Sequence, residues 1–217
     1  MVVVSRWFDK FWGQTCDLTS QAVLFLVFSI LMSVNSIAHP AIVIIDPGHG
    51  GIDRGGIPGQ NLAEKDLTLD TGKRLARILQ SNGDIKVVMT RDNDTFVSLT
   101  ERTDIANQYA GRDAVFVSIH YNSALREGAY GIETYYYNNK RASRLASLVH
   151  PRVIKAMDSI DRGIRQRGYR VLRKNRLPAI LIECGFLTNH AEGERASNPD
   201  YRQRVARAIA SAISRCD

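Results

Sequence analysis

The stretch that decides the fold is Ala41-Ile42-Val43-Ile44-Ile45-Asp46-Pro47-Gly48-His49-Gly50-Gly51. An unbroken aliphatic run leads into an aspartate, a turn dipeptide and a histidine set among glycines. Such runs, rich in β-branched residues, read as strands buried on both faces, as in sheets covered by helices on either side. Two later runs have the same form: Ala114-Val115-Phe116-Val117-Ser118-Ile119 into His120, and Ala179-Ile180-Leu181-Ile182 into Glu183. Ligands of such sheets bind at the carboxyl ends of the strands. Two histidines and a glutamate at three strand ends therefore point to one site, and to a metal.

Helical and strand patterns alternate around these runs. Lys65 to Gln80 places Leu67, Leu75, Ile78 and Leu79 on one helical face and stops at Ser81-Asn82-Gly83. Ile85 to Thr90 follows as a strand. Ser98-Leu99-Thr100-Glu101 is a capping box that opens a helix with Leu99, Ile105 and Ala106 inward. Gly131 to Tyr137 reads as a strand, and Arg141 to Met157 as a helix bent or interrupted before Pro151. Arg170 to Leu172 reads as a short strand. Asn198-Pro199 opens a last helix that buries Val205, Ala208, Ile209, Ala212 and Ile213. The pattern predicts a single α/β domain from His39 to Asp217, a three-layer sandwich whose mostly parallel or mixed sheet carries helices on both faces.

The 217 residues suffice for one domain with a sizeable core. A hydrophobic fraction of 44% and a charged fraction of 24% are those of a soluble globular protein. Lys and Arg outnumber Asp and Glu by 29 to 22, a net charge of +7, which favours an anionic partner: nucleic acid, an acidic membrane or an acidic polymer. Solubility alone accounts for that surface equally well. Cys16, Cys184 and Cys216 show no CxxC spacing, which argues against a cysteine zinc cluster and for free thiols.

Ala22 to Val34 is apolar and uncharged but shorter than the ~20 residues of a membrane span. With Arg6 and Lys10 upstream and the small residues Ser36 and Ala38 before His39, residues 1–38 fit an export signal cut after Ala38. An uncleaved anchor is the rival, because Val2-Val3-Val4 and Phe8 to Trp12 extend the contact with a bilayer. Either way the domain is expected outside the cytoplasm, in the periplasm, the cell envelope or the medium.

Taken singly, the site residues carry different weight. His49 among glycines has room for a ligand beside it, and no Gly-Lys-Ser/Thr follows to make a phosphate loop. His120 alone reads as a hydrogen-bonded core histidine, and Glu64 alone as an acidic residue favoured by a helix N-terminus. Glu183, straight after an aliphatic strand, reads as a shielded carboxylate with a raised pKa suited to a general base. A salt bridge to an arginine is its structural rival. Cys184 beside His120 also suggests a thiol nucleophile, but as Glu183's neighbour on a strand its side chain points to the opposite face.

Seven segments in order, from Ile44-Ile45-Asp46-Pro47-Gly48-His49-Gly50-Gly51 through Glu64-Lys65-Asp66-Leu67, Thr90-Arg91-Asp92, Leu99-Thr100-Glu101-Arg102, Val117-Ser118-Ile119-His120 and Gly131-Ile132-Glu133-Thr134-Tyr135-Tyr136 to Ile182-Glu183-Cys184-Gly185-Phe186-Leu187-Thr188-Asn189, resemble the zinc-dependent N-acetylmuramoyl-L-alanine amidases of the Amidase_3 family. The resemblance covers nearly all of the chain from Ala41 on. It implies that His49, Glu64 and His120 hold Zn2+, that Glu183 is catalytic, and that the substrate is the amide between N-acetylmuramic acid and L-alanine in peptidoglycan. A zinc peptidase or deacetylase acting on another wall amide is the alternative; a catalytically dead wall-binding protein is a further one. The expected partner is peptidoglycan rather than nucleic acid, and the expected state a monomer. Asn122 and Glu133 are weaker candidates for substrate or supporting contacts, and the arginines from Arg162 to Arg173 for stem carboxylates. Division amidases of this family often insert a covering helix before the Gly-Ile-Glu-Thr strand. Here only Tyr121 to Tyr130 intervenes, which implies an open site that needs no activator.

Overall fold

In the computed structural model the three aliphatic runs form the middle of the sheet. β1 (Ile42–Pro47), β3 (Ala114–Asn122) and β6 (Ala179–Phe186) lie side by side in parallel, within a six-stranded sheet of order β2-β1-β3-β6-β4-β5. β2 (Lys86–Met89) extends it in parallel beyond β1. β4 (Ile132–Tyr136) runs antiparallel to β6, and β5 (Asp161–Gln166) follows β4 in parallel at the other edge. The sheet is therefore mixed. The structure describes residues 40–57, 60–81, 83–125 and 128–214; the N-terminal export segment, Cys16 and Cys216 lie outside them. Among the described residues no helix is long and apolar enough to cross a membrane.

Side chains alternate between the faces of a strand, and here the alternation separates packing from chemistry. Val43, Ile45, Val117, Ile119, Tyr121, Ile180, Ile182 and Cys184 pack into the larger core, against α1 (Glu64–Ser81), α3 (Lys140–Met157) and α6 (Pro199–Ile213). Ile44, Phe116 and Leu181 form a smaller core with Ala106 of α2 (Leu99–Asn107) and with Val171 and Leu172 of α4 (Arg170–Arg173). By the same alternation Asp46, Ser118, His120, Glu133 and Glu183 belong to this second face. The register sets His120 beside Glu183, and Glu183 beside Glu133. Two short helices cannot cover the whole face, and a cleft of about 370 Å³ remains over the strand ends.

Four expectations change. α3 runs unbroken through Pro151, because its buried face (Ala146, Val149, Val153, Met157) offsets the lost helical hydrogen bond. His150 also ties it to the sheet, with Thr134 Oγ1 at 2.9 Å from Nδ1 and Asp161 Oδ1 at 2.7 Å from Nε2. Arg170 to Leu172 is not a strand but the helical turn of α4, with the N–H groups of Leu172 and Arg173 donating to the Tyr169 carbonyl. Leu99 does not point inward; it is 52% exposed at the cleft. β5 and α5 (His190–Ser197) were not anticipated: the half-exposed edge strand lacks an apolar alternation, and α5 declares itself mainly through the Asn189 cap, whose Oδ1 accepts the Glu192 N–H.

The capping box of α2 forms as expected, with Ser98 Oγ accepting from the Glu101 N–H at 3.2 Å and Glu101 Oε2 accepting from the Ser98 N–H at 2.8 Å. Ser98→Ala removes one of these bonds. It should lower stability by about 1 kcal/mol, read as a drop of about 2–4 °C in thermal midpoint.

Candidate metal centre

The site is built on a loop whose carbonyls are all held. At the end of β1, Asp46 forms a buried ion pair with Arg102 at 2.7 Å, their side chains 1% and 3% exposed. The aspartate also accepts from Thr90 Oγ1 and Ser118 Oγ, both at 2.7 Å. Arg102 reaches past it to the carbonyls of Pro47 and His49, each at 2.6 Å. Arg91 donates to the carbonyls of Pro47 at 3.0 Å and Gly48 at 2.7 Å. These bonds hold His49 at φ 60°, a left-handed backbone that a residue with a Cβ adopts only under constraint. Gly48 is required by contact rather than by its turn, since a Cβ there would overlap the imidazole of His120.

Glu64, the first residue of α1, is shared by the two histidines. Its Oε2 lies 3.0 Å from His49 Nε2 and its Oε1 2.9 Å from His120 Nδ1. The imidazoles stand edge to face, with ring centroids 4.9 Å apart. Backbone N–H groups of Tyr121 and Gly56 donate to the same two carboxylate oxygens at 3.0 and 3.1 Å. His49 Nδ1 is held at 2.8 Å by Asp53 Oδ2, which leaves Nε2 facing Glu64. Burial opposes ionisation of Glu64, but the hydrogen bonds and charges of the two histidines hold its pKa down to about 2. Burial likewise opposes charge on His120, yet Glu64 lifts its pKa to about 9. His49 is raised in the same way against its own burial.

This donor set suits a divalent cation. One ligand atom from each of His49, Glu64 and His120 lies within 4.8 Å of the others. Two atoms bound to one zinc at ~2.0–2.2 Å are at most ~4.4 Å apart, so small side-chain shifts suffice. Two imidazole nitrogens and a carboxylate oxygen are also the kind of ligands found in catalytic zinc sites. The bond from His49 to Asp53 is of the sort that fixes tautomer and ring orientation in metal-binding histidines.

Glu183 faces the cleft on the strand beside His120. Burial, aided by the charges of Glu64 and Glu133 and opposed by His120, raises its pKa to about 7. Its Oε2 is shielded from solvent and has no hydrogen-bond partner among the described residues, so none of their arginines forms the rival salt bridge to that oxygen. Asn122 lines the cleft, its Oδ1 accepting from the Ser123 N–H at 2.8 Å. Glu133 does not line it; its carboxylate is taken up by Arg162 Nε and the Tyr135 hydroxyl. Cys184 is fully buried in the opposite core, and burial pushes its thiol pKa up, which removes it as a nucleophile of the cleft.

Sequence reasoning brought His49, Glu64, His120 and Glu183 together but assigned no part to Asp53, or to Asp46 and Arg102 as the anchor of the loop. Asp53 had a weak signal, a carboxylate four residues after a histidine in a glycine-rich turn. Asp46 and Arg102 had none, since their contact spans 56 positions.

The sequence profile of the Amidase_3 family, N-acetylmuramoyl-L-alanine amidase, matches residues 43–215, and the chain belongs to this family. Among its relatives, N-acetylmuramoyl-L-alanine amidase LytC of Bacillus subtilis (strain 168) is 35% identical over 182 residues, 81% of this chain and 36% of LytC. CwlM of Bacillus licheniformis, also named an N-acetylmuramoyl-L-alanine amidase, is 36% identical over 80% of this chain and 67% of its own. The chain thus spans about a third to two thirds of these curated amidases. Among solved structures, the N-acetylmuramoyl-L-alanine amidase from Clostridium difficile 630 superposes with a TM-score of 0.76 at 40% identity, covering 81% of this chain and 96% of that one.

Arg102→Leu should strand Asp46 as an uncompensated buried charge. We expect a loss of about 3–5 kcal/mol in chemical denaturation; a loss below about 1 kcal/mol would show that the pair does not hold the loop.

Proposed function

We propose that the chain hydrolyses the amide between N-acetylmuramic acid and L-alanine of peptidoglycan, with His49, Glu64 and His120 as ligands of a zinc ion and Glu183 as the general base. The observation that carries this reading is the convergence of a His-Glu-His cluster with an adjacent carboxylate, one oxygen of which is shielded and finds no hydrogen-bond partner among the described residues, in a chain of the amidase family. Zinc in such a site lowers the pKa of a bound water to about 7 and polarises the scissile carbonyl.

The protein's own groups do the rest. Glu183, with a pKa near neutrality, takes a proton from the attacking water and delivers it to the departing nitrogen. The C–N bond breaks, leaving a carboxylate on the lactyl group and a free amine on alanine. Asp53 orients His49, and the loop pinned by Arg91 and Arg102 keeps that ring in place.

We further propose that residues 1–38 direct export as a cleaved signal or retained anchor, that residues 39–217 are the catalytic domain, and that it works as a monomer in the cell envelope. The export reading is supported by the apolar, uncharged run Ala22 to Val34 and the small residues before His39.

Glu183→Gln should bind zinc like the wild type by metal analysis and keep its circular dichroism, while kcat falls ~10²–10⁴-fold; retained activity would remove Glu183 from the chemistry. Digestion of purified sacculi should release intact stem peptides with a free L-alanine amine. Cleavage inside the stem, or release of acetate, would point to the peptidase or deacetylase alternative. A chelator should abolish the activity and zinc restore it, whereas a thiol reagent should have no effect.

The link between β3 and β4 is too short for a covering helix, and none occurs among its described residues. The purified chain should therefore cleave sacculi without a second protein. Strong stimulation by an envelope extract would contradict this.

A further inference from the structure

The cleft is lined by both apolar and charged groups. Phe96, Val97 and Leu99 are apolar, and Phe96 and Leu99 are half exposed. Asp53, beside His49, adds a carboxylate, and Arg170 adds a cation. Arg170 belongs to an arginine-rich segment: between Asp161 and Arg176 the sequence places arginine at 162, 165, 167, 170, 173 and 176, while its one carboxylate, Asp161, is bonded to His150.

These arginines are not equivalent. Arg162 is already engaged, by Glu133 and by the Phe186 ring, 4.9 Å from its guanidinium. Arg165 stands opposite Tyr135 in the sheet register, hence on the face that carries Glu133 and Glu183. Its guanidinium donates only to the carbonyl of Arg162, at 3.1 and 3.2 Å. Arg170 lines the cleft beside Tyr169 and spends one Nη2 bond, of 2.8 Å, on Thr100 Oγ1. That bond ties α4 to α2 across the second face, and Tyr169, edge-on to Tyr135 with ring centroids 5.1 Å apart, fixes the start of α4. Both arginines are exposed, and among the described residues neither pairs with a carboxylate. A guanidinium presents five donors in a planar fork matched to a carboxylate, so most of each fork is open to a ligand.

The N-acetylated glycan of the substrate is neutral, whereas its stem peptide carries free carboxylates. We infer that Arg170, in the cleft, and Arg165, on the edge strand β5 that leads towards α4, form a carboxylate-reading subsite for the stem peptide. The inference rests on the amidase reading above and adds to it a preference for stems with free carboxylates.

The test uses the full chain and two muropeptides that differ only in the α-carboxylate of the second stem residue, free in one and amidated in the other. The wild type should show a KM about fivefold lower for the free acid. Arg165→Gln with Arg170→Gln should raise that KM to the value for the amide, with kcat and both constants for the amidated substrate unchanged. Added salt should weaken the wild-type preference and leave the double variant unaffected. Equal KM values for the wild type on the two substrates, or a double variant impaired equally on both, would overturn the subsite. Release of stem peptides from sacculi, followed in parallel, keeps the two failures apart. Sacculi cleaved without carboxylate preference sink the subsite alone; intact sacculi sink the amidase reading with it.

Discussion

The buried pair of Asp46 and Arg102 is the interaction on which the centre depends. A carboxylate and a guanidinium out of water are costly unless their hydrogen bonds are met. Here Thr90 and Ser118 complete the aspartate, while the carbonyls of Val97, Pro47 and His49 complete the arginine. The network joins the end of β1 to β3, to the segment after β2 and to α2. It therefore converts sheet packing into the position of one histidine ring. The strained backbone of His49 persists because four elements determine it together.

From that anchor the division of labour between the sheet faces follows. One face is nearly all aliphatic and buries its side chains under α1, α3 and α6. The other carries Asp46, His120, Glu183 and Glu133 at strand ends that two short helices leave partly uncovered. Stability thus comes mainly from one layer and chemistry from the other. The ionisable row across β3, β6, β4 and β5 runs from His120 through Glu183 and Glu133 to Arg162. Glu133 is neutralised by Arg162 and bonded to the Tyr135 hydroxyl, while Glu183 beside it keeps an oxygen without a partner among the described residues. That contrast separates a carboxylate engaged by the fold from one left available to a reaction.

Cys184 and Glu183 illustrate how strictly the alternation acts. They are adjacent in sequence, and both have pKa values raised by burial. One points into the cleft and the other into the core, so proximity along the chain says little about shared chemistry. The helix through Pro151 carries the opposite lesson. A local rule against proline in a helix interior gives way where a buried face and the His150 bonds hold the segment in place.

What the sequence determined by itself were the elements whose signal is local: the aliphatic strands β1, β3 and β6, the amphipathic faces of α1 and α6, and the capping box at Ser98. It also supplied His49, Glu64, His120 and Glu183 as candidates, because each lies near the carboxyl end of an aliphatic run or begins a helix, within a recognisable family segment. Tertiary structure decided what depends on distant partners. That includes β5, an edge strand with no apolar alternation of its own, and the helical turn at Arg170, whose N–H donors close on Tyr169. It includes Asp53 behind His49, and the pairing of Asp46 with an arginine more than fifty positions away. A periodic pattern records which face of an element is buried. It carries no record of which remote side chain will meet a buried charge, because that depends on how the layers stack.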